Sequence, residues 1–258
     1  MPTEVLFESS GPIGRLTFSD AKGVNILSTP VFDQFERRLD EIAKNHAIRV
    51  IVLTGAGKTF VAGADIAEMN AASPDAGKAF SQRGQKCMNR LARFEQCVTI
   101  AAINGAALGG GCELALACDM RIISEEAKIG LPEVKLGLIP GWGGTQRTYA
   151  LLGAGGARKL LFTGEAITGK QAAEMGLAEE AVAKDQVVAR ADEIAKQILT
   201  GGPEAIRAAK RVMLAGDDAR MKEGFAVEAA AFGEVFGHTE GREGLKAFLE
   251  KRKASWNG

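Results

Sequence analysis

The sequence predicts an α/β fold, a sheet covered by helices with a helical tail behind it, and three observations carry that prediction. The first half alternates short apolar runs with longer helical patterns, as expected when strands pair beneath helices. From about Gly141 onward helix signals dominate. Gly201-Gly202-Pro203 then breaks one helix and restarts another at a proline suited to a first turn, which makes it the best internal boundary. With 258 residues and 46% hydrophobic content the chain has enough apolar side chain for a substantial core, in one domain or two unequal ones.

Each element follows from local pattern. Ile13 to Phe18 reads as a strand after the Gly11-Pro12 turn. Thr29 caps a helix with Pro30 at its first position, and Phe32, Phe35, Leu39, Ile42 and Ala43 recur along one face. Arg49 to Thr54 and Val98 to Asn104 are β-branched runs between polar segments and read as buried strands. A helix over roughly Asp75 to Phe94 joins them, and Met120 to Ile123 is a further short strand. In the tail, Ala205 to Leu214, Met221 to Phe236 and Arg242 to Trp256 read as helices whose apolar faces need a surface to cover, their own core or another subunit. No internal repeat or low-complexity segment interrupts the pattern.

Composition removes several classes of function. Lys plus Arg (32) equals Asp plus Glu (32), so no global field favours nucleic acid or an anionic membrane, and any anionic ligand must be held by local groups. A phosphate-binding row of cations on the helix from Thr29 to Asn45 is also missing, because Arg37, Arg38 and Lys44 are offset by Asp33, Glu36, Asp40 and Glu41. Met1 to Ser10 carries Glu4 and Glu8 and lacks the basic and apolar regions of a targeting peptide. No stretch reaches the roughly 18 apolar residues of a membrane span. The four cysteines, Cys87, Cys97, Cys112 and Cys118, lack paired spacing, so neither a zinc site nor a disulfide framework is indicated and a reducing cytoplasm is expected. His46 and His238 are the two histidines, both in surface-like contexts, so histidine chemistry is poorly supplied.

Two glycine-rich stretches mislead. Thr54 to Thr59 ends in Gly-Lys-Thr after a strand, but a P-loop needs a glycine where Val52 stands. Gly153-Ala154-Gly155-Gly156 follows a helix rather than a strand, which undercuts a dinucleotide site. No Gly-x-Ser-x-Gly is present.

Two other segments depart from ordinary packing. Asn104 to Ala117 is a small-residue loop running into an apolar helix, and its three successive glycines, Gly109 to Gly111, imply close approach of a ligand or of another backbone segment. Their amides lie at a helix N-terminus, where donors and the helix dipole stabilise a developing negative oxygen. Glu113 follows in the first turns, in a stretch free of other charge until Asp119, and either caps the helix or does chemistry. Glu133 follows Pro132 among mostly apolar residues, either as a helix N-terminal charge or as a desolvated acid. Two glutamates whose pKa values are pushed apart are able to handle a proton and a water near neutral pH.

Together these segments closely resemble the enoyl-CoA hydratase (crotonase) family over nearly the whole chain. Phe60 to Met69 resembles the family's first oxyanion segment and Asn104 to Glu113 its second, while Ile139 to Arg147 matches the motif after the second catalytic glutamate. The resemblance implies a crotonase-like spiral of ββα units forming two roughly perpendicular sheets in residues 1–200. Residues 201–258 would form a helical region that mediates trimers, which pair into hexamers.

It also implies roles. The backbone N–H groups of Ala64 and Gly110 would hold the thioester carbonyl. Glu113 would activate water, and Glu133 would deliver a proton to the α-carbon of an enoyl-CoA. Ala62, Asp65 and Ile66 would line the substrate site, Lys22 and Lys58 would grip the coenzyme A portion, and Phe232 and Lys251 would come from a neighbouring subunit. No metal or redox cofactor is implied, coenzyme A being part of the substrate. Both carboxylates are present, which favours hydration over simple double-bond isomerisation, and hydration of a cyclic dienoyl-CoA stands as an alternative chemistry. Leu131 departs from the glutamine of several family hydratases, giving the Gly-Leu-Pro-Glu of multifunctional β-oxidation enzymes.

Overall fold

A computed structural model describes residues 2–256; Met1 and residues 257–258, the outer ends of the two expected regions, lie outside the described residues. The chain opens with a hairpin of β1 (Glu4–Ser10) and β2 (Ile13–Ser19), paired antiparallel around Gly11, whose φ of +58° suits a two-residue loop. Sequence pattern exposed only β2, because β1 buries Val5 while leaving Leu6 exposed and so alternates weakly.

After the short β3 (Ile26–Leu27) comes α1 (Thr29–Lys44), which buries Val31, Phe32, Phe35, Leu39 and Ile42. Thr29 is the first helical residue rather than the cap. Ser28 holds the cap position, and Thr29 instead donates through its backbone N–H and its hydroxyl to Glu68.

Three successive units then repeat one plan. β4 (Val50–Gly55), β5 (Thr59–Val61) and β6 (Gly63–Ala64) lead to α2 (Ile66–Ala71) and α3 (Gly77–Ala92). β7 (Val98–Ile103) and β8 (Ala106–Leu108) lead to α4 (Gly110–Leu116). β9 (Met120–Ser124) and β10 (Lys128–Gly130) lead, through a 3-10 turn at Glu133–Leu136, to α5 (Gly144–Thr163). The first strand of each unit joins one sheet and the second joins another. β11 (Ala166–Thr168), α6 (Gly169–Met175), β12 (Glu180–Val182) and α7 (Val187–Leu199) complete the core. The sheet orders are β1-β2-β4-β7-β9-β12 and β11-β10-β8-β5, with β3 pairing β6 apart. This is the expected spiral of ββα units.

The larger sheet is covered on both faces, which explains why β4 and β7 read as continuous apolar runs. Val50, Val52, Ile100 and Ala102 meet Val187, Ala191, Ile194 and Ala195 of α7. Ile51, Leu53, Ala101 and Ile103 face the main core with Phe18, Phe35 and Leu91. Each large apolar side chain buried this way contributes about 1.5–3 kcal/mol.

The tail departs from expectation. The two helices expected at 205–214 and 221–236 are one, α8 (Pro203–Gly237), since a glycine such as Gly216 weakens a helix interior by only about 1 kcal/mol and does not end it. The helix expected over 242–256 is α9 (Thr239–Leu249), and beyond it Lys251 has a φ of +54°. Near its start α8 is pinned by buried Lys210, which donates to Phe94 O, Cys97 O and Asp119. Its C-terminal half returns along α3, where Gly233 lets its backbone approach Lys78 closely. No helix among the described residues is long and apolar enough to cross a membrane.

Candidate active site

The three glycines at the start of α4 have separate reasons. A Cβ on Gly109, whose φ is +52°, would lie 3.0 Å from Glu133 Oε1; on Gly110 it would lie 2.1 Å from the Trp142 ring; on Gly111 it would lie 1.9 Å from Val61 O. The loop is thus wedged between β5, an aromatic ring and a carboxylate. Gly110 is the first residue of α4, so its N–H has no acceptor within the helix. Its neighbour Gly109 donates to Gly130 O instead.

Glu113, one turn further, is buried with its Oε1 accepting from Trp142 N at 2.7 Å and Gly144 N at 2.8 Å. Gly144 starts α5, so Glu113 satisfies orphan donors at that helix's N-terminus rather than at its own. Burial pushes its pKa well above the ordinary value, the charges of Glu133 and Glu228 push it further, and the Gly144 and Trp142 amides pull it back. Glu133 opens the 3-10 turn, and its Oε2 is buried without a hydrogen-bond partner. Burial is the main cause that raises it to about 8. Of the two, Glu113 is the one that accepts two amide donors from another segment, and these favour its charged form against the effect of burial.

Both glutamates line a cleft of about 490 Å³ together with Ala64 and Gly110, in a largely apolar wall. A larger cavity, about 660 Å³ beneath α8, has Asp119 as the acidic residue among its described lining, and Lys210 and Thr99 already occupy that carboxylate. The paired carboxylates therefore mark the smaller cleft as the site.

Comparison with known proteins shows the family. The family described as "Enoyl-CoA hydratase/isomerase" matches residues 8–258. The chain belongs to that family. As a hydratase/isomerase family member it is 39% identical to the short-chain-enoyl-CoA hydratase of Clostridium acetobutylicum, over 96% of this chain and 95% of the relative. It is 38% identical to the crotonyl-CoA hydratase of Syntrophomonas wolfei, over 98% of this chain and 97% of the relative. Among solved structures, carnitinyl-CoA hydratase from Mycobacterium avium superposes with a TM-score of 0.86 at 33% identity, covering 100% of this chain and 99% of that one.

The structure brings Ala62, Asp65 and Ile66 to the cleft wall as well. The Asp65 carboxylate caps α2, accepting from Ala67 N and Glu68 N, so it shapes the wall rather than pointing a free charge into it. Lys22 and Lys58 are exposed on two loops that touch backbone to backbone, since a Cβ on Gly57 would meet the Gly23 Cα at 2.6 Å. One assignment is corrected. Phe232, expected from a neighbouring subunit, is buried against Phe80 and Phe236 of its own chain and lines its own cleft, because α8 runs unbroken back along α3. Lys251 is exposed beyond α9 and is not part of that cleft.

Trp142 and Glu228 were missed. Trp142 packs edge-on to Phe32 at 4.9 Å and fills the space left by Gly84 and Gly110. Glu228 is a further buried carboxylate, and its sequence signal is position. It falls on the apolar stripe of Phe225, Ala229, Phe232 and Phe236, where a charge is out of place.

Proposed function

We propose that the chain catalyses the reversible addition of water to a short trans-2-enoyl-CoA, giving the 3-hydroxyacyl-CoA. The observation that carries this reading is the pair of glutamates in one cleft, Glu113 buried and anchored by two amides and Glu133 half-buried with one orphaned, buried oxygen. Glu113, its Oε1 held, takes a proton from water through its other oxygen while that water attacks the β-carbon. The electron pair displaced from the double bond rests on the thioester oxygen as an enolate. The N–H groups of Ala64 and Gly110 stabilise that oxygen, a donor of this kind being worth on the order of 3 kcal/mol. Glu133 then protonates the α-carbon.

Phe80, Trp142, Phe232 and Leu138 give the cleft an apolar lining suited to an acyl chain, and the names of the two bacterial relatives support a short one. Hydration rates on enoyl-CoA thioesters from C4 upward test this. Turnover should be highest on the shortest substrates; a preference for long chains would remove the short-chain reading.

Lys22 and Lys58 would meet the phosphates of coenzyme A, a reading supported by their exposure on two adjoining loops. The exposed Tyr149, Phe162, Val212, Met213 and Val227 form unpartnered apolar surface on α5 and α8, which supports a trimer or a hexamer. Light scattering should return three or six chain masses; an active monomer would contradict that assignment. Four buried free thiols suit a reducing cytoplasm.

A further inference from the structure

The segment from Trp142 to Thr145 is held by two carboxylates in alternation. The amides of Trp142 and Gly144 donate to Glu113 Oε1, at 2.7 and 2.8 Å. Those of Gly143 and Thr145 donate to Glu228, at 2.6 and 3.1 Å. Glu228 also accepts from the Thr145 hydroxyl and from Gln85 Nε2 at 3.0 Å. Together the two carboxylates take up N–H groups that the start of α5 would otherwise leave unpaired. Glu228 is 3% exposed and lies outside the cleft lining. It reaches the chemistry through the turn that it shares with Glu113 and through its charge.

We propose that Glu228 is a positioning residue for hydration: it fixes the 142–145 turn so that Glu113 presents one oxygen to water, and its negative charge behind the turn strengthens Glu113 as a base. This deepens the hydratase reading and rests on it.

The electrostatic surroundings are mixed. Glu113 on α4 and Glu133 on the 3-10 turn both feel the charge of Glu228. Arg147 on α5 opposes it, with its guanidinium donating to Trp142 O and Asn89 Oδ1 and lying 5.2 Å from the Phe225 ring centroid. Gln85 on α3 contributes a neutral donor. Burial raises the proton affinity of Glu228 itself, and its four donors lower it again. Loss of the Glu228 charge leaves Arg147 less opposed, so Glu113 becomes the weaker base.

The test is Glu228→Gln, assayed by crotonyl-CoA hydration against pH, with the wild type run first. The variant should lose about tenfold in kcat with KM within about twofold, since a misplaced base costs turnover more than binding. The acidic limb of its kcat/KM profile should move to lower pH, the direction expected when a like charge is removed beside Glu113. A purely structural Glu228 would lower Tm without moving that limb. If Glu228→Gln does not fold, Thr145→Val removes one donor and keeps the charge, and it should lower kcat about threefold with the limb in place. Unchanged kcat and an unmoved limb in a folded Glu228→Gln, or unchanged kcat in Thr145→Val, overturn the proposal. A wild type that hydrates no enoyl-CoA overturns the underlying reading instead.

Discussion

Glu113→Gln and Glu133→Gln should each cut hydration by at least about 10²-fold, the lower range for general acid–base groups, while leaving the fold intact. Gln keeps the shape of Glu and an oxygen that accepts from Trp142 N and Gly144 N, so the α4–α5 contact survives at position 113. The two variants should differ in stability. The Glu133 carboxyl is raised to about 8 in the fold by burial, so the folded state binds its proton more tightly than the unfolded chain. That contribution is complete below the ordinary carboxylate range and is lost as pH rises towards about 8. Glu133→Gln carries no such group and should lose less Tm than the wild type over the same rise in pH. Near-wild-type turnover in either variant would return that glutamate to a structural role.

Gly111→Ala is expected to be the most damaging single methyl in the chain's active half. Its Cβ would lie 1.9 Å from Val61 O, and backbone on both sides prevents the relief that a flexible side chain would give. Overpacking of this kind costs about 1–3 kcal/mol, occasionally more, and here the strain falls on the first turn of α4. Displacing the Gly110 N–H from its place should lower kcat by about 10²–10³-fold, the range for a lost oxyanion donor. Thermal melting and crotonyl-CoA turnover on the purified variant check both parts. A variant with wild-type kcat would show that the oxyanion is held elsewhere.

What sequence pattern reveals here depends on length of signal. β4 and β7 were legible because both faces are buried and β-branched residues run without interruption. β6, at Gly63–Ala64, has two residues and no periodicity, and its place is set by pairing with β3 rather than by its own composition. Glu113 and Glu133 were found because each follows a distinctive glycine or proline segment, and the structure sets both in one cleft. Trp142 and Glu228 were not found, because a tryptophan beside glycines and a glutamate on a helix have ordinary readings until the tertiary contacts are known. The subunit assignment of Phe232 failed for a related reason. Whether α8 folds back depends on a helix staying continuous through Gly216, and local pattern does not decide that.

The most direct test of the two-glutamate account is the fate of crotonyl-CoA in deuterated water with the wild-type protein. Hydration by Glu113 and Glu133 predicts 3-hydroxybutyryl-CoA carrying one deuterium at the α-carbon, expected on the same face as the hydroxyl if the two carboxylates, which line one cleft, act from the same side. An isomerase needs a single base to shuttle a proton between carbons, whereas a hydratase must also position water. Rapid isomerisation of a 3-enoyl-CoA with no hydration of any 2-enoyl-CoA would contradict the account.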